Sequence, residues 1–400
     1  MFDPKSVRFR GELVPHVDGY WSELMRQRYT PLSGGNLLRL AAHVSRWLED
    51  SKLRLSELTV ERVAEFFAHR REEGYTQFRT PRALEPLLGY LRGIGVAPQP
   101  CPPCIPDTRL GRLLKEYAQY LTQERGLDST TIRGYLDFTK RFVAARGSLD
   151  WRRLTAAEVT EFVLRDSRQM TVGWCKKTVT SLRSLLRFLH VRGSIRRDLS
   201  VCVPAVAGWR LAWLPKALES DQVDRLLGSC DPKSAIGRRD GAMVRLLVRL
   251  GLRAGEAAGL QLDDIDWRAG EIVVRGKGRR EGRLPLPGDV GRALVAYLRH
   301  GRPRTGSRRV FLGSRAPYRA LSTDGVIEAV RCALRRAGVL TGGAHLLRHT
   351  AATEMLRRGA SLPEIGNVLR HRHIDTTAIY AKVDHTSLRM LAQPWPGGAA

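Results

Sequence analysis

A proline-rich segment near residue 100 most constrains how this chain can fold. The segment GVAPQPCPPCIPD, residues 95–107, contains five of the twenty prolines. Proline has no backbone N–H and a fixed φ, so such a run continues neither a helix nor a central strand. With 400 residues the chain is long enough for two or three domains. The segment therefore predicts an N-terminal helical domain at 1–100 and a linker at 101–107.

The region after this linker shows mainly helical patterns. Apolar residues recur at helical spacing from Leu110 to Leu121, and three more helical stretches follow. Residues 108–200 are therefore predicted to form a helical bundle. A second proline-bearing stretch, 201–217, separates the bundle from the region 218–385. There, EIVVRGKGRREGRLPLP predicts two strands joined by a turn, and Gly251 is predicted to end a helix whose apolar face carries Met243, Leu246, Leu247 and Leu250.

The N-terminal hundred residues resemble the bundle that follows them. ELTVERVAEFF, residues 57–67, aligns with RLTAAEVTEFV, residues 153–163. RTPRALEPLLGYLRGIG, residues 79–95, aligns with KTVTSLRSLLRFLHVRG, residues 177–193, after a shift of two residues. Two matches in the same order predict that the N-terminal domain duplicates the bundle, although helical sequences also match by chance because their apolar periods coincide.

The charge of the chain indicates a polyanionic partner. It has 67 Lys and Arg against 40 Asp and Glu, a formal net charge of +27. Nucleic acid is the first candidate for such a partner, and the alternative is a genome that favours Arg, because only ten of these cations are lysines. The sequence has no apolar run long enough to cross a membrane and no signal-peptide pattern at its start, so we expect a cytoplasmic protein.

The six cysteines do not suggest a disulfide framework. Cys101 and Cys104 have the spacing of half a zinc site or of a redox motif, but no second pair accompanies them. We interpret them as part of the proline-stiffened linker. The other four cysteines lie alone in apolar or helical surroundings and are predicted to be buried thiols: Cys175, Cys202, Cys230 and Cys332.

Basic residues gather before a single tyrosine in HLLRHTAATEMLRRGASLPEIGNVLRHRHIDTTAIY, residues 345–380. A spacing of three places His345 and Arg348 on one side of a helical turn, where both can face one anionic group. His345 and His349 also have the i, i+4 spacing of zinc helices. However, Leu346 stands where a zinc protease has its catalytic Glu, and Arg348 would add a positive charge beside the metal. The pattern favours a phosphate over a metal, because the planar guanidinium matches two phosphate oxygens.

The sequence resembles the tyrosine recombinase, or phage integrase, family over roughly residues 108–390. The family has an Arg in GLRxxE, a Lys in a β-hairpin, an HxLRH motif, and LGHxxIxTTxxY ending in the nucleophile. One position departs from this pattern, because Arg370 stands where the family usually has Gly. The matching segments are GLRAGE with Arg253, RGKGRR with Lys277, HLLRH with His345 and Arg348, and LRHRHIDTTAIY with His371 and Tyr380.

The resemblance implies a mainly α fold with a helical core-binding bundle. It also implies a mixed α/β catalytic domain, mostly helical with a small three-stranded sheet, and the N-terminal helical domain is an addition to this pattern. In the implied site, Arg253 and Arg348 bind the two non-bridging oxygens of a DNA phosphate and His371 adds a hydrogen bond. Glu256 is interpreted as structural, and Arg253 taken singly would be its salt-bridge partner. No metal ion or other cofactor is implied.

The resemblance also implies how a strand is cut. Tyr380 is the nucleophile, but a phenol with a pKa of about 10 is a poor one at neutral pH. His345 is predicted to accept the phenolic proton, and Lys277 is predicted to protonate the departing 5′ oxygen. The product is a 3′-phosphotyrosyl link, which a second 5′ hydroxyl can reverse without ATP. The implied function is therefore that of a site-specific recombinase.

Double-stranded DNA is the expected partner, held by a homotetramer. Family members often pass a terminal segment to the neighbouring subunit, and residues 386–400 are a candidate for this exchange, with a frayed end as the alternative. Most DNA contacts outside the centre should be to phosphate and independent of sequence. The candidate contacts are Arg133, Lys140, Lys176, Lys177, Arg183, Arg279 and Arg280.

Three other functions remain open at this point. A catalytically silent DNA-binding protein could have the same fold and charge, and a type IB topoisomerase would share the tyrosine chemistry. A metal-dependent nuclease would also use basic DNA contacts. Trapping of a covalent adduct, strand exchange between two sites, and cleavage in the presence of EDTA distinguish these functions from recombination.

Overall fold

The computed structural model describes residues 3–99, 108–168, 170–207, 214–276, 281–371, 373, 376–384 and 388. The chain divides into two compact units, one made of Met1–Gln99 with Trp213–Ala400 and the other of Pro100–Ala212. The predicted linkers lie near the limits of the second unit. The first hundred residues group with the C-terminal half, which the sequence did not indicate. Cys101 and Cys104 lie outside the described residues.

The second unit is a helical bundle. Its core contains Phe138, Phe142 and Phe162 with Trp151, and the hydroxyl of Tyr117 donates a hydrogen bond to Ser184 at 2.9 Å. Side chains that accept from backbone N–H groups begin each helix, as the Asp128 carboxylate does for the helix Ser129–Arg146. The helices are α5 Arg109–Gln123, α6 Ser129–Arg146, α7 Ala156–Ser167 and α8 Val172–Val191. The numbering starts at five because helices of the first unit come earlier in the chain.

The N-terminal part of the first unit is also helical. Its buried positions agree with those of the second unit in the two aligned segments. Val63, Phe66 and Phe67 correspond to Val159, Phe162 and Val163, and Leu84, Leu87, Leu88 and Leu91 correspond to Leu182, Leu185, Leu186 and Leu189. Helical periodicity alone can produce such agreement, so the duplication stays a prediction. The helices are α1 Val17–Arg26, α2 Pro31–Asp50, α3 Val60–Glu72 and α4 Glu85–Gly93.

The C-terminal part of the first unit combines helices with a small antiparallel sheet. The strands β1 Ile265–Asp266, β2 Glu271–Arg275 and β3 Glu281–Pro285 lie in sequence order, and Ile272 pairs with Ile265 on one side and Leu284 on the other. These three residues are buried. The helices are α9 Ser220–Gly228, α10 Ala235–Leu250, α11 Ala254–Gly259, α12 Gly288–His300, α13 Thr323–Arg336, α14 Ala344–Arg357 and α15 Leu362–Val368.

The structure confirms the predicted fold class, mainly α with a small three-stranded sheet. It also confirms the apolar face of α10, where Met243, Leu246, Leu247 and Leu250 are buried. Cys175 and Cys230 are buried as predicted. The prediction was wrong for Cys202 and Cys332, which are partly exposed; a helical surrounding alone does not determine which side of the helix is covered.

Within the described residues, none of the helices combines the length and the apolar composition that crossing a bilayer requires.

Candidate active site

Arg348 lies at the centre of the candidate site. It belongs to α14 and is 5% exposed. Its guanidinium donates hydrogen bonds to the backbone carbonyls of Gly251 and Leu369. Burial, together with the charge of Arg253, lowers the pKa of Arg348 to about 10. The guanidinium is thus fully protonated at neutral pH and held in one orientation by the backbone.

Gly251 makes this arrangement possible. It ends α10 with a φ of +60°, a left-handed conformation that favours glycine. A Cβ at this position would collide with the side chain of Leu369 and lie 3.4 Å from that of Ala351. The close approach brings the Gly251 carbonyl to Arg348. The glycine predicted from sequence to end a helix therefore also positions an arginine of the site.

Arg253 begins α11 and is paired with Glu256. The backbone N–H of Arg253 donates to one oxygen of the Glu256 carboxylate at 2.9 Å, and its guanidinium donates to the other at 2.7 Å. The Arg253 side chain is 40% exposed, whereas that of Glu256 is 4% exposed. Burial alone would raise the pKa of Glu256, but the Arg253 N–H and the charge of Arg370 lower it overall. Glu256 is therefore a buried carboxylate anion that holds Arg253.

Arg370 adopts the conformation that glycine would have at the same position. Its φ is +55°, and it follows α15 as the left-handed residue of a helix-ending motif. Its backbone N–H donates to Asn367 at 3.0 Å, and the N–H of His371 donates to Gly366 at 2.9 Å. A left-handed conformation costs a residue with a Cβ roughly 1–2 kcal/mol. The substitution thus leaves the backbone course into His371 intact at a cost in stability.

Tyr380 lies in the 3-10 helix Ala378–Val383 and is 1% exposed. It packs with Ala352, Ile365 and Leu369 in a small apolar cluster. Burial raises the pKa of the Tyr380 phenol to about 12, while the positive charge of Arg348 acts in the opposite direction. In this structure the phenol is therefore protonated and covered.

The hydroxyl of Tyr380 has His349 as its hydrogen-bond partner. The hydroxyl oxygen and Nδ1 of His349 are 2.9 Å apart. Burial lowers the pKa of His349, and the charges of His345 and Arg348 lower it further, so the ring is neutral at pH 7. With its proton on Nε2, the neutral ring accepts the phenolic hydrogen at Nδ1.

The spacing of His349 from His345 suggested only a zinc ligand. The signal that could have identified its role is the helical spacing, since His349 lies three residues before Ala352, which contacts the same tyrosine. His345, the predicted proton acceptor, is exposed one turn earlier on α14. Its role stays a prediction.

His371 lies between the positive charges of the site and a buried threonine. Its Nδ1 and the hydroxyl of Thr377, which is fully buried, lie 2.7 Å apart and share a hydrogen bond. Burial lowers the pKa of His371 to about 4, and the charges of Arg348 and Arg253 contribute in the same direction. A neutral imidazole at this place can donate one hydrogen bond without a protonation change near neutral pH.

The depressed pKa of His371 predicts a dependence of stability on pH. Its ordinary pKa is 6.5, and in the folded protein it is about 4. Between these values the unfolded chain binds more protons, so the free energy of unfolding decreases as the pH falls from about 6.5 towards 4. We expect His371→Gln to lose less stability than the parent protein between pH 7 and pH 5. Urea unfolding midpoints at both pH values measure this, with the exposed His300→Gln as control; equal losses in all three proteins would contradict the prediction.

Three of the predicted site residues are not described by the structure. Lys277, Arg279 and Arg280 lie between β2 and β3, in the segment 277–280 outside the described residues. The two strands that flank this segment pair as the sequence predicted, from Arg275 opposite Glu281 onward. The hairpin is therefore confirmed, whereas the roles of the three residues stay predictions.

The candidate DNA contacts of the second unit are mostly solvent-exposed. Lys176 and Lys177 line a surface groove of about 460 Å³ together with Thr130 and Thr131. Arg183 is only partly exposed and donates a hydrogen bond to the carbonyl of Val203 at 2.9 Å. Arg133 and Lys140 are exposed as well. The ammonium nitrogen of Lys140 lies 3.4 Å from a carboxylate oxygen of Asp137.

Comparison with known proteins decides the family. Residues 216–387 match the phage integrase family. An integrase/recombinase by name, y4rA of Sinorhizobium fredii, is 42% identical over 396 residues, which cover 97% of this chain and 96% of that protein. The tyrosine recombinase XerD of Mycobacterium tuberculosis is 32% identical over 306 residues, or 71% of this chain and 96% of that protein. The chain belongs to the tyrosine recombinase (phage integrase) family. It is therefore a site-specific recombinase, and the silent DNA-binding protein and the topoisomerase are not favoured.

Solved structures of tyrosine recombinases have the same fold. The XerH site-specific recombinase bound to palindromic difH substrate, a post-cleavage complex, aligns with a TM-score of 0.55 and 18% identity over 86% of this chain and 92% of that chain. A lambda integrase dimer bound to a COC′ core site aligns with a TM-score of 0.55 and 17% identity over 71% of this chain and 96% of that chain.

Proposed function

We propose that this tyrosine recombinase cuts and rejoins DNA strands through a covalent link to Tyr380 and requires neither a metal ion nor ATP. One observation carries the proposal: the hydroxyl of Tyr380 is hydrogen-bonded to His349, the residue directly after the buried Arg348. The proposal thus rests on the position of the nucleophile Tyr380 close to Arg348, a cation with a fixed orientation. Both lie on elements that meet at Leu369, which packs against Tyr380 and accepts a hydrogen bond from Arg348.

The proposed reaction is an in-line displacement at phosphorus. The phenolic oxygen of Tyr380 forms a bond to the phosphorus, and the bond from phosphorus to the 5′ oxygen breaks. The phenolic proton passes to a histidine of α14, for which His345 is the predicted acceptor once DNA is bound. The 5′ oxygen takes a proton from Lys277. The resulting 3′-phosphotyrosyl bond conserves the energy of the phosphodiester, so an incoming 5′ hydroxyl reverses the step and joins a new strand.

Positive charge addresses both chemical obstacles of this reaction. A phosphodiester repels an anionic nucleophile, and negative charge grows on the non-bridging oxygens in the transition state. Arg348 has a fixed orientation, and Arg253 has an exposed side chain that can reach an incoming phosphate. Preoriented donors of this kind stabilise developing charge strongly because they need no rearrangement during the reaction. These two guanidiniums supply the charge that a metal ion would otherwise provide.

Tyr380 must move before it can react. At 1% exposure its hydroxyl is covered, and a duplex cannot approach it. The short 3-10 helix that bears it has poorer hydrogen bonds than an α-helix, so shifting this segment disrupts little structure. We propose that DNA binding draws Tyr380 away from His349 and towards the phosphate, which restricts cleavage to DNA-bound protein.

Double-stranded DNA is the proposed substrate, and the recombinase is proposed to act on it as a tetramer in the cytoplasm. The net charge of +27 supports this partner, as do the exposed lysines of the groove beside α8. The XerH structure, bound to its difH substrate, is a precedent from the same fold. Exchange of residues 386–400 between subunits stays a prediction, because these residues, apart from 388, lie outside the described part of the chain.

Covalent capture with nicked DNA tests the proposed chemistry. A pool of nicked duplexes with randomised sequence is incubated with the protein, without ATP and with excess EDTA. Cleavage near the nick releases a short strand and traps the adduct. We expect adducts that form as fast in EDTA as in magnesium and that map by mass spectrometry to the peptide containing Tyr380. Cleavage that stops in EDTA, or an adduct on another residue, would overturn the proposal.

A further inference from the structure

Arg370 is the one residue of the matched motifs that departs from the family pattern, and its side chain contacts the site. Its guanidinium donates to the Glu256 carboxylate at 2.7 Å and to the carbonyl of Val368 at 2.9 Å. The Arg370 side chain is 15% exposed. The left-handed backbone of Arg370 costs free energy, and contacts of its side chain can offset that cost. The ion pair with Glu256 is such a contact.

The Glu256 carboxylate is shared between two guanidiniums. One oxygen accepts from the backbone of Arg253 and from Arg370, and the other accepts from the guanidinium of Arg253. A single negative charge therefore faces two positive ones in a buried place, where charges interact strongly. Without Arg370, Arg253 would be the one guanidinium of the described residues still hydrogen-bonded to Glu256.

We propose that Arg370 is a positioning residue of the active site, which shares the carboxylate of Glu256 and thereby keeps Arg253 available to the scissile phosphate. With Arg370 present, three guanidiniums and one carboxylate give the group Arg253, Arg348, Arg370 and Glu256 a net charge of +2. The pentacoordinate transition state of a phosphodiester carries about two negative charges, so the group matches it. The inference rests on the function proposed above.

The base of the β-hairpin accommodates the Arg370 side chain. A Cβ at Gly282, in β3, would lie 2.8 Å from Cδ of Arg370. Gly282 thus leaves room beside β3 for the side chain of Arg370. Arg370 therefore bridges the hairpin, Glu256 and the loop that begins at His371, three segments far apart in sequence.

Substitutions at Arg370 test the proposal on nicked duplexes that the parent protein captures. We expect Arg370→Met, which keeps an unbranched stem but no charge, to lower the single-turnover cleavage rate at saturating DNA by roughly 10-fold to 100-fold, the range expected when a phosphate-binding group is displaced. Affinity for DNA should change much less than the rate. Arg370→Lys, which keeps the charge, should recover part of the rate. Lys52→Gly is the backbone control for an Arg370→Gly variant, because Lys52 is an exposed residue with a φ of +54°, and it should cleave like the parent.

A double-mutant cycle separates action through Glu256 from a general loss of structure. If Arg370 acts through this carboxylate, Glu256→Gln combined with Arg370→Met should cleave no more slowly than Glu256→Gln alone. Gly282→Ala should slow cleavage in the parent but have no further effect with Arg370→Gly, since the colliding side chain is then absent.

The outcomes distinguish failure of the role proposed for Arg370 from failure of the proposed function. Unchanged cleavage by Arg370→Met, or independent effects in the cycle, would overturn the role of Arg370 while the parent protein still forms adducts. Absence of adducts with the parent would instead overturn the proposed function.

Discussion

Tyr380→Phe should form no covalent adduct with nicked DNA, a loss of about a millionfold in rate or a rate below detection. The variant lacks the only atom that bonds to phosphorus in the proposed reaction. The phenyl ring remains able to pack with Ala352, Ile365 and Leu369, and within the described part of the chain the change removes the hydrogen bond to His349. The variant should therefore fold and bind DNA. Adduct formation on denaturing gels and DNA binding by anisotropy measure the two properties separately.

Tyr297→Phe is the matched control for this variant. Tyr297 is also 1% exposed and lies in the same unit, where its hydroxyl accepts a hydrogen bond from the backbone of Leu312 at 3.3 Å. Both variants lose one buried hydroxyl, and only Tyr380→Phe should lose cleavage. Residual adduct formation by Tyr380→Phe would show that another residue is the nucleophile.

Arg348→Lys should lower the single-turnover cleavage rate by about 10²- to 10³-fold. Lysine keeps the positive charge but lacks the planar fork that can hold two carbonyls and still face a phosphate. The carbonyls of Gly251 and Leu369 lose their donors, so the free energy of unfolding should fall by about 1–3 kcal/mol. Rapid-quench cleavage and urea unfolding measure the two effects.

Arg302→Lys separates the catalytic effect from the structural one. Arg302 is partly buried and donates to the carbonyls of Ser307, Arg309 and Val310. Burial lowers its pKa as it does for Arg348. We expect a comparable loss of stability and unchanged cleavage. If both lysine variants cleaved at the parent rate, Arg348 would have only a structural role.

The features that the sequence predicted well are local ones. A capping box of Ser361 and Glu364 begins α15, and such a box is readable from sequence because its two residues are three positions apart. Gly251 ends α10, and β2 pairs with β3. Both features likewise depend on residues that are close together in the sequence. Short-range spacing determines such features before any tertiary contact forms.

The sequence by itself also predicted the residue types of the active site, since an ordered set of motifs records the chemistry that a site needs. Tertiary structure alone decided how these residues are held. The carbonyl that orients Arg348 is 97 residues away from it, and the carboxylate that Arg370 shares with Arg253 is 114 residues from Arg370. No periodicity in a sequence reports contacts over such separations. The partner of Tyr380, His349, likewise depended on how the 3-10 helix packs against α14, because burial and hydrogen bonding between distant segments exist only in the folded chain.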